Sequence, residues 1–125
     1  MKLTEILITR SRLRDVGFEN IGKIVRKQKS IQKLHLFQNV AKKGFKPLLE
    51  ALKEAKDTLT ELRINDNRSI NRAVPELVEM IKACKNLKHL TLSDLCMKKK
   101  NCQAVSDALI ESMKSGSKLE ELIWS

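Results

Sequence analysis

The chain has 125 residues, of which 42% are hydrophobic, 32% are charged and 3% are aromatic, proportions that fit one globular domain. It carries 25 basic and 15 acidic residues, and this net charge of +10 raises nucleic acid, an anionic membrane or an acidic protein as partner classes. No apolar run approaches the roughly 20 residues of a membrane span and no signal-peptide pattern opens the chain, which argues against a membrane-spanning protein and predicts an intracellular, cytoplasmic one.

Five stretches of the chain share one frame, in which aliphatic side chains follow the first residue at offsets 3 and 5, except that the truncated last stretch has Trp124 at offset 5. The stretches begin at Leu3, Ile31, Leu59, Leu87 and Leu119, so the first four starts are equally spaced and the last interval is slightly longer. This period is typical of leucine-rich repeats with one strand and one helix per unit. We therefore predict a single α/β domain over residues 1–125, a right-handed leucine-rich-repeat solenoid with a parallel sheet on its concave face and helices on its convex face. The longer last interval predicts a small insertion near Met97 to Asn101.

The turn after each predicted strand begins at offset 8, which holds Ser11, Asn39, Asn67 and Leu95 in chain order. An inward asparagine amide can satisfy backbone groups that the turn leaves without partners, and can ladder onto the next coil. We predict that Asn39 and Asn67 form such a structural ladder, with Ser11 as a weaker substitute. Leu95 breaks the rule, so we expect an irregular turn after the fourth strand.

The segments between the predicted strands have apolar residues at three- and four-residue spacing, as amphipathic helices do. The predicted helices cover Val16 to Lys27, Gly44 to Ala55, Arg72 to Ala83 and Cys102 to Met113. Pro47 and Pro75 both fall at offset 16 of their repeats. That position lies in the first helical turn, where the missing N–H of proline has no cost.

Cysteine and histidine give little sign of a chemical site. Cys84, Cys96 and Cys102 are odd in number and lack CxxC spacing, so we expect reduced thiols, neither a disulfide framework nor a zinc site. His35 and His89 fall at outward offsets of their strands and should be surface contacts. The chain has no Gly-rich phosphate loop, GxSxG or HExxH motif. We therefore predict no catalytic residue, no metal and no cofactor.

Offsets 2, 4, 6 and 7 should line the concave face, which is the surface free to bind a partner. Its predicted residues are Glu5, Leu7, Thr9, Arg10, Lys33, His35, Phe37, Gln38, Glu61, Arg63, Asn65, Asp66, His89, Thr91, Ser93, Asp94, Glu121 and Ile123. They include three basic and five acidic side chains, a balance of −2, so the basic excess lies on helices and loops. With no Tyr and one inward Trp, the chain lacks stacking platforms, and nucleic acid is an unlikely partner.

The predicted solenoid has no polar cap at either end. Its first repeat begins at Leu3, and its fifth stops at Ser125 with Trp124 inward and no helix to cover it. An exposed edge strand is prone to pair with another chain. We expect these residues to be part of a longer array, or to self-associate through the uncapped repeat ends.

Three longer segments carry further motifs: LFQNVAKKGFKPLLEAL from Leu36, LTELRINDNRSINRAVPELVEMIKACKNLKHLTLSDL from Leu59, and a closing KLEELIWS. They resemble the later leucine-rich repeats of Ran GTPase-activating proteins, and ITRSRLRDVGFENIGK from Ile8 resembles the preceding family repeat. That family shows QN, DN and then DC after successive strands. The corresponding pairs here are Gln38-Asn39, Asp66-Asn67 and Asp94-Leu95, so the third pair matches only at its first residue.

The resemblance implies a protein-interaction module from a GTPase activator, which would bind a Ran-like small GTPase at the nuclear periphery. The critical Arg and Asn of that family lie in earlier repeats and match no position here, so the chain should not be active alone. The implied contact residues, on the concave rim, are Arg10, Phe37, Gln38, Asn65, Asp66, Ser93 and Asp94. The alternative is an adaptor of the same architecture, of ribonuclease-inhibitor or tropomodulin type, that binds an unrelated protein.

Overall fold

The structure is a computed structural model that describes residues 2–10, 13–38 and 43–125. In these residues strands and helices alternate: β1 (Glu5–Thr9), α1 (Arg14–Gln28), β2 (Lys33–Phe37), α2 (Phe45–Leu52), β3 (Glu61–Asn65), α3 (Val74–Ala83), β4 (His89–Ser93), α4 (Lys99–Lys114) and β5 (Glu121–Trp124). Two short 3₁₀ helices adjoin them, Lys53–Ala55 after α2 and Arg68–Ala73 before α3. The strands and helices therefore follow one another along the chain in the predicted order.

The five strands form one parallel sheet in the order β1-β2-β3-β4-β5. Its register pairs Glu5 with Lys33, Lys33 with Glu61, Glu61 with His89 and His89 with Glu121. Each pair joins residues at the same offset of consecutive repeats, so one period of the sequence is one step across the sheet. The predicted α/β leucine-rich-repeat architecture is confirmed.

The core lies between the sheet and the row of helices. The repeat aliphatics are buried in every inner coil: Ile31, Leu34, Leu36, Leu59, Leu62, Ile64, Leu87, Leu90 and Leu92. Burying one such side chain stabilises the fold by about 1.5–3 kcal/mol. Phe18 of α1 and Phe45 of α2 add an edge-to-face ring pair with centroids 4.8 Å apart, which ties the first two coils together.

The insertion lies at a different place from the one that the spacing suggested. Val105 lies at offset 18 of its repeat, as Ile21 does, so the extra length of the last interval falls entirely between Val105 and Leu119. It extends the C-terminal part of α4, which has 16 residues, and the loop after it. The prediction of an insertion near Met97 to Asn101 is therefore wrong, because adding a helical turn there would have shifted Val105 out of phase.

Asn67 is buried, with 2% of its surface exposed, as predicted for a ladder residue. Its Nδ2 donates to the Leu36 carbonyl at 3.2 Å and to the Asn65 carbonyl at 2.6 Å. The amide therefore bonds to the preceding coil and to its own strand, whereas the sequence predicted a bond to the next coil. Asn39 and Ser11, the other predicted members, lie outside the described residues.

The turn after β4 is irregular, as predicted from Leu95. Asp94 and Cys96 both have left-handed backbones, with φ of 53° and 50°, and Leu95 between them is buried. Asn71 of the preceding coil replaces the missing amide, because its Nδ2 donates to the carbonyls of Leu95 and Cys96 at 3.3 and 3.1 Å. A side chain from one repeat thus stabilises the turn of the next.

A similar contact between coils fixes the start of α2. The Asp15 Oδ1 atom accepts hydrogen bonds from the backbone N–H groups of Lys43 and Gly44, both at 2.9 Å. Gly44 makes this approach possible, since a Cβ there would lie 2.7 Å from the Cβ of Phe18. The N-terminus of α2 is therefore capped by a carboxylate from the preceding coil.

β1 and β5 are the edge strands of the sheet. Leu7 on β1 is 61% exposed, and Leu122 and Ile123 on β5 are 40% and 43% exposed. Trp124 is half-buried and packs against the core, as its inward offset predicted. Self-association through these edges stays a prediction.

Candidate protein-binding site

The centre of the concave face, the sheet face turned away from the helices, is a network of paired charges. The Glu61 carboxylate contacts the His35 ring through Nε2, and its other oxygen lies 3.5 Å from Arg63. Arg63 also donates to Thr91 Oγ1 at 2.6 Å and to Glu121 Oε1 at 3.0 Å. These charges satisfy one another, so the centre of the face has little unpaired charge for a partner to recruit.

Glu61 is the most enclosed carboxylate of this network, with 9% of its surface exposed. Burial raises the pKa of its carboxyl, but the hydrogen bond to His35 and the nearby Arg63 guanidinium outweigh burial and hold the pKa below the ordinary 4.5. Because the folded-state pKa is depressed, the charged carboxylate stabilises the fold at pH values above 4.5. That contribution is lost as the pH falls through the lower, folded-state pKa.

We expect the Glu61→Gln substitution to lower the free energy of unfolding by about 1–2 kcal/mol at neutral pH, since it removes a charge-assisted hydrogen bond. The difference from the wild type should shrink as the pH falls below 4.5. Urea unfolding at steps from about pH 7 to about pH 3 measures this difference. Glu120→Gln, at an exposed carboxylate just before β5, is the control and should keep the wild-type pH dependence. An equal deficit for Glu61→Gln at both ends of the range would contradict the account.

The rim, which we define as Arg10, Gln38, Asp66 and Asp94, consists of the first residue after each of β1 to β4. All four have left-handed backbones, with φ between 52° and 55°. The N–H groups of the first three donate to the last carbonyl of the next strand, and that of Asp94 donates to the carbonyl of Ser125, directly after β5. The chain therefore turns away while the hydrogen bonds between neighbouring coils continue. Asp tolerates this conformation, but Arg and Gln adopt it at a cost of about 1–2 kcal/mol. Unfavourable backbones of this kind are concentrated at functional sites.

Arg10 and Gln38 border a depression of about 230 Å³, which Thr9, Phe37 and Asn65 complete. The Arg10 Nε donates to the Gln38 Oε1 at 2.6 Å, and the Phe37 ring lies 5.8 Å from the ring of His35. The volume is below the roughly 300–1,000 Å³ of small-molecule sites, and it suits one protruding side chain of a protein. Arginine and aromatic side chains are also the types that dominate binding energy at protein interfaces.

The other predicted contact residues extend this surface unequally. Asp66 and Asp94 are exposed, so the rim changes from a cation at Arg10 to carboxylates after β3 and β4. A partner should present the complementary order of charge. Ser93 is only 7% exposed and offers a partner little area, so we leave it out of the proposed contact surface.

We expect Gln38→Asn to raise the free energy of unfolding by about 0.5–1 kcal/mol, because asparagine tolerates the left-handed backbone that glutamine resists. Chemical denaturation measures the change. Gln32→Asn, at an exposed residue outside the rim, is the matched control and should change stability by less than about 0.5 kcal/mol. If Gln38→Asn destabilised the chain, the backbone at this position would not be under strain.

The paired network is the feature that the sequence did not reveal. The sequence predicts Glu61, Arg63 and Glu121 on the concave face and the histidines as surface contacts, but it does not predict that these side chains pair with one another. The available signal was the repeat register, because residues at equal or adjacent outward offsets of neighbouring strands lie within side-chain reach. His35 and Glu61 occupy such adjacent outward offsets on β2 and β3, so the register predicts that they are neighbours.

The described residues contain no group of three His, Cys, Asp or Glu side chains arranged to hold a metal ion. Burial raises the pKa of the Cys84 thiol to about 12, which makes it unreactive. Within the described ranges, none of the helices has the length and apolar character to cross a membrane.

No protein-family model matches the sequence, and no curated protein matches it. Ten solved chains are similar to it, and two of them have the names and measures that follow. One is "Leiomodin-1 Actin-Binding Site 2 (ABS2)", with a TM-score of 0.70 and 22% identity over 90% of this chain and 65% of that chain. The other is the tropomodulin C-terminal domain of Caenorhabditis elegans, with a TM-score of 0.66 and 13% identity over 90% of this chain and 68% of that chain.

This chain thus spans 65% of the leiomodin-1 chain. At such identities the likeness establishes the fold alone, and neither match supports the Ran GTPase-activating family in particular. The chain has the α/β leucine-rich-repeat fold of the tropomodulin and leiomodin domains.

Proposed function

We propose that this chain is a cytoplasmic protein-binding module without a catalytic site of its own, and that its partner is actin. The fold is shared with a leiomodin-1 structure that is named for an actin-binding site, and this makes actin the first protein to test. The alternative predicted from the sequence, an adaptor of tropomodulin type, agrees better with these matches than a GTPase activator does.

The depression beside the rim is the observation that carries the proposal. Phe37 lines it together with Arg10 and Gln38, whose side chains are hydrogen-bonded to each other, and the charges at the concave centre are already paired. The partner therefore contacts the carboxyl ends of the strands, with one side chain in the depression. Asp66 and Asp94 contact basic groups further along the same interface.

A Ran-like small GTPase is the second candidate, favoured by the Gln38-Asn39 and Asp66-Asn67 pairs that follow β2 and β3. The two candidates differ in whether binding depends on the nucleotide state of the partner. Ran binding should require the GTP-bound state, whereas actin binding should not depend on any GTP analogue.

The test is an equilibrium titration of the full chain against labelled monomeric actin and, separately, against Ran loaded with a non-hydrolysable GTP analogue. We expect saturable binding to actin with a Kd of about 1 μM or tighter, which corresponds to about −8 kcal/mol. Ran should not bind. Binding to Ran alone would replace actin by the GTPase, and binding to neither would remove both partners.

A further inference from the structure

The basic side chains of the concave face lie close to carboxylates, with one exception. The close pairs are Lys33 with Glu5, His35 with Glu61, Arg63 with Glu61 and Glu121, and His89 with Glu121. The exception is Arg10, because in the described part of the chain no carboxylate lies within ion-pair distance of its guanidinium. Arg10 is exposed directly after β1, so a carboxylate from another protein can reach it.

The Arg10 guanidinium is nevertheless held in place. Its Nε donates to the Gln38 Oε1 at 2.6 Å, and the backbone N–H of Arg10 donates to the Phe37 carbonyl at 2.9 Å. The Nε bond uses one of the five N–H donors of the guanidinium, and the two terminal nitrogens carry the other four. A guanidinium that is already positioned loses less conformational freedom when it binds an anion.

The depression beside Arg10 contains further donors. Because the Gln38 Oε1 accepts from Arg10, the Nε2 of the same amide has two N–H donors for another acceptor. Asn65 adds a second side-chain amide to the lining, and no carboxylate is among the described lining residues. The lining therefore has one cation, two amides and no anion, which favours a ligand with negatively charged oxygen atoms.

We propose that this depression binds a carboxylate, the side chain of an aspartate or glutamate on the protein partner. The inference rests on the proposed function, because it assigns a chemical class to the partner side chain that enters the depression. The fork of the guanidinium matches the two oxygens of a carboxylate, so the contact can have two parallel N–H···O bonds. Phe37 lines the same depression, and an apolar ring beside the ion pair excludes part of its water and strengthens the attraction.

The experiment follows ¹H–¹⁵N spectra of the full chain, including the side-chain signals of Arg10 Nε and Gln38 Nε2. The probes are three capped peptides, titrated at neutral pH and constant ionic strength. Acetyl-Gly-Glu-Gly-amide carries a side-chain carboxylate, acetyl-Gly-Gln-Gly-amide is its neutral counterpart, and acetyl-Gly-Gly-Gly carries only a terminal carboxylate.

Arg10→Gln is the informative variant, because it removes the guanidinium and keeps a side chain that the left-handed backbone already accepts at Gln38. Arg26→Gln is the matched control. Arg26 is also an exposed arginine that donates through Nε, in its case to Glu54 at 2.6 Å. The two variants have the same net charge, so general attraction of the anionic peptide changes equally in both.

We expect the glutamate peptide to shift the Arg10 and Gln38 side-chain signals saturably in the wild type and in Arg26→Gln. Arg10→Gln should bind it at least about tenfold more weakly, since charge-assisted hydrogen bonds are lost. The glutamine peptide should produce no saturable shift. Equal affinity of the glutamate and glutamine peptides, equal losses in the two variants, or saturable binding of the terminal carboxylate alone would each overturn the proposal.

The outcome is independent of the actin titration, since no actin is present in the peptide experiment. Binding of the glutamate peptide without binding of actin would support the carboxylate site and remove actin as the partner. Binding of actin without binding of the glutamate peptide would leave the proposed function standing and overturn this inference.

Discussion

Replacing Phe45 by alanine is expected to lower the free energy of unfolding by about 3–5 kcal/mol, the largest effect on stability that we anticipate. Phe45 is 2% exposed, and its ring meets the fully buried Phe18 edge to face. Alanine would leave a cavity between α1 and α2. The two elements are already in close contact at Gly44, so they cannot move together to fill it. Since small domains are stable by about 5–15 kcal/mol, the loss is a large part of the total.

Phe37→Ala is the matched control for this experiment, because it makes the same change at a half-buried ring on the concave face. It should lower the free energy of unfolding by less than about 1.5 kcal/mol. Urea unfolding of both variants, followed by far-ultraviolet circular dichroism, gives the comparison. Equal losses in the two variants would mean that the core does not lie between the sheet and the helices.

Removing Arg10 and Phe37 from the rim depression is expected to have the largest effect on binding. Alanine at either position should weaken the affinity for actin by about 2 kcal/mol, roughly thirtyfold, because arginine and aromatic anchors supply most of the energy of such interfaces. The two losses should not add simply, since both side chains line the same depression. The Kd values of the single and double variants, from the titration against labelled actin, measure this coupling.

Arg26→Ala is a suitable control for Arg10→Ala, because Arg26 is exposed at the end of α1, where it pairs with Glu54 at 2.6 Å. It should leave the actin affinity unchanged. A loss of affinity that was the same for Arg26→Ala and Arg10→Ala would mean that actin responds to total positive charge and not to the rim. Unfolding measurements on each variant would separate a loss of contact from a loss of folded protein.

The repeat period predicted most of the fold because it specifies which residues of neighbouring coils lie next to one another. Residues at equal offsets occupy equal positions in adjacent coils, so Leu34, Leu62 and Leu90 align across the sheet and are all fully buried. The same arithmetic placed Arg10, Phe37, Gln38 and Asn65 on one surface, and the structure brings these four together around the depression. Whether a partner binds there stays a prediction.

Features that depend on local backbone direction could not be predicted from the period. The Asn67 amide lies within reach of more than one coil, and its choice of the Leu36 carbonyl depends on the shape of the turn. The left-handed backbones of Arg10 and Gln38 are imposed by the continuing ladder, since neither residue favours that conformation. Asp66 and Asp94 at the same offset were the only sequence signal for it.

The footprint of actin on the full chain tests the central claim most directly, namely that the rim and its depression are the binding surface. Hydrogen exchange of the chain should be measured with and without saturating actin. We predict slower exchange at the ends of β1, β2 and β3, in the segments that contain Arg10, Gln38 and Asp66, and no change in the exposed face of α4. Protection confined to the helices, or no protection at any strand end, would contradict the account.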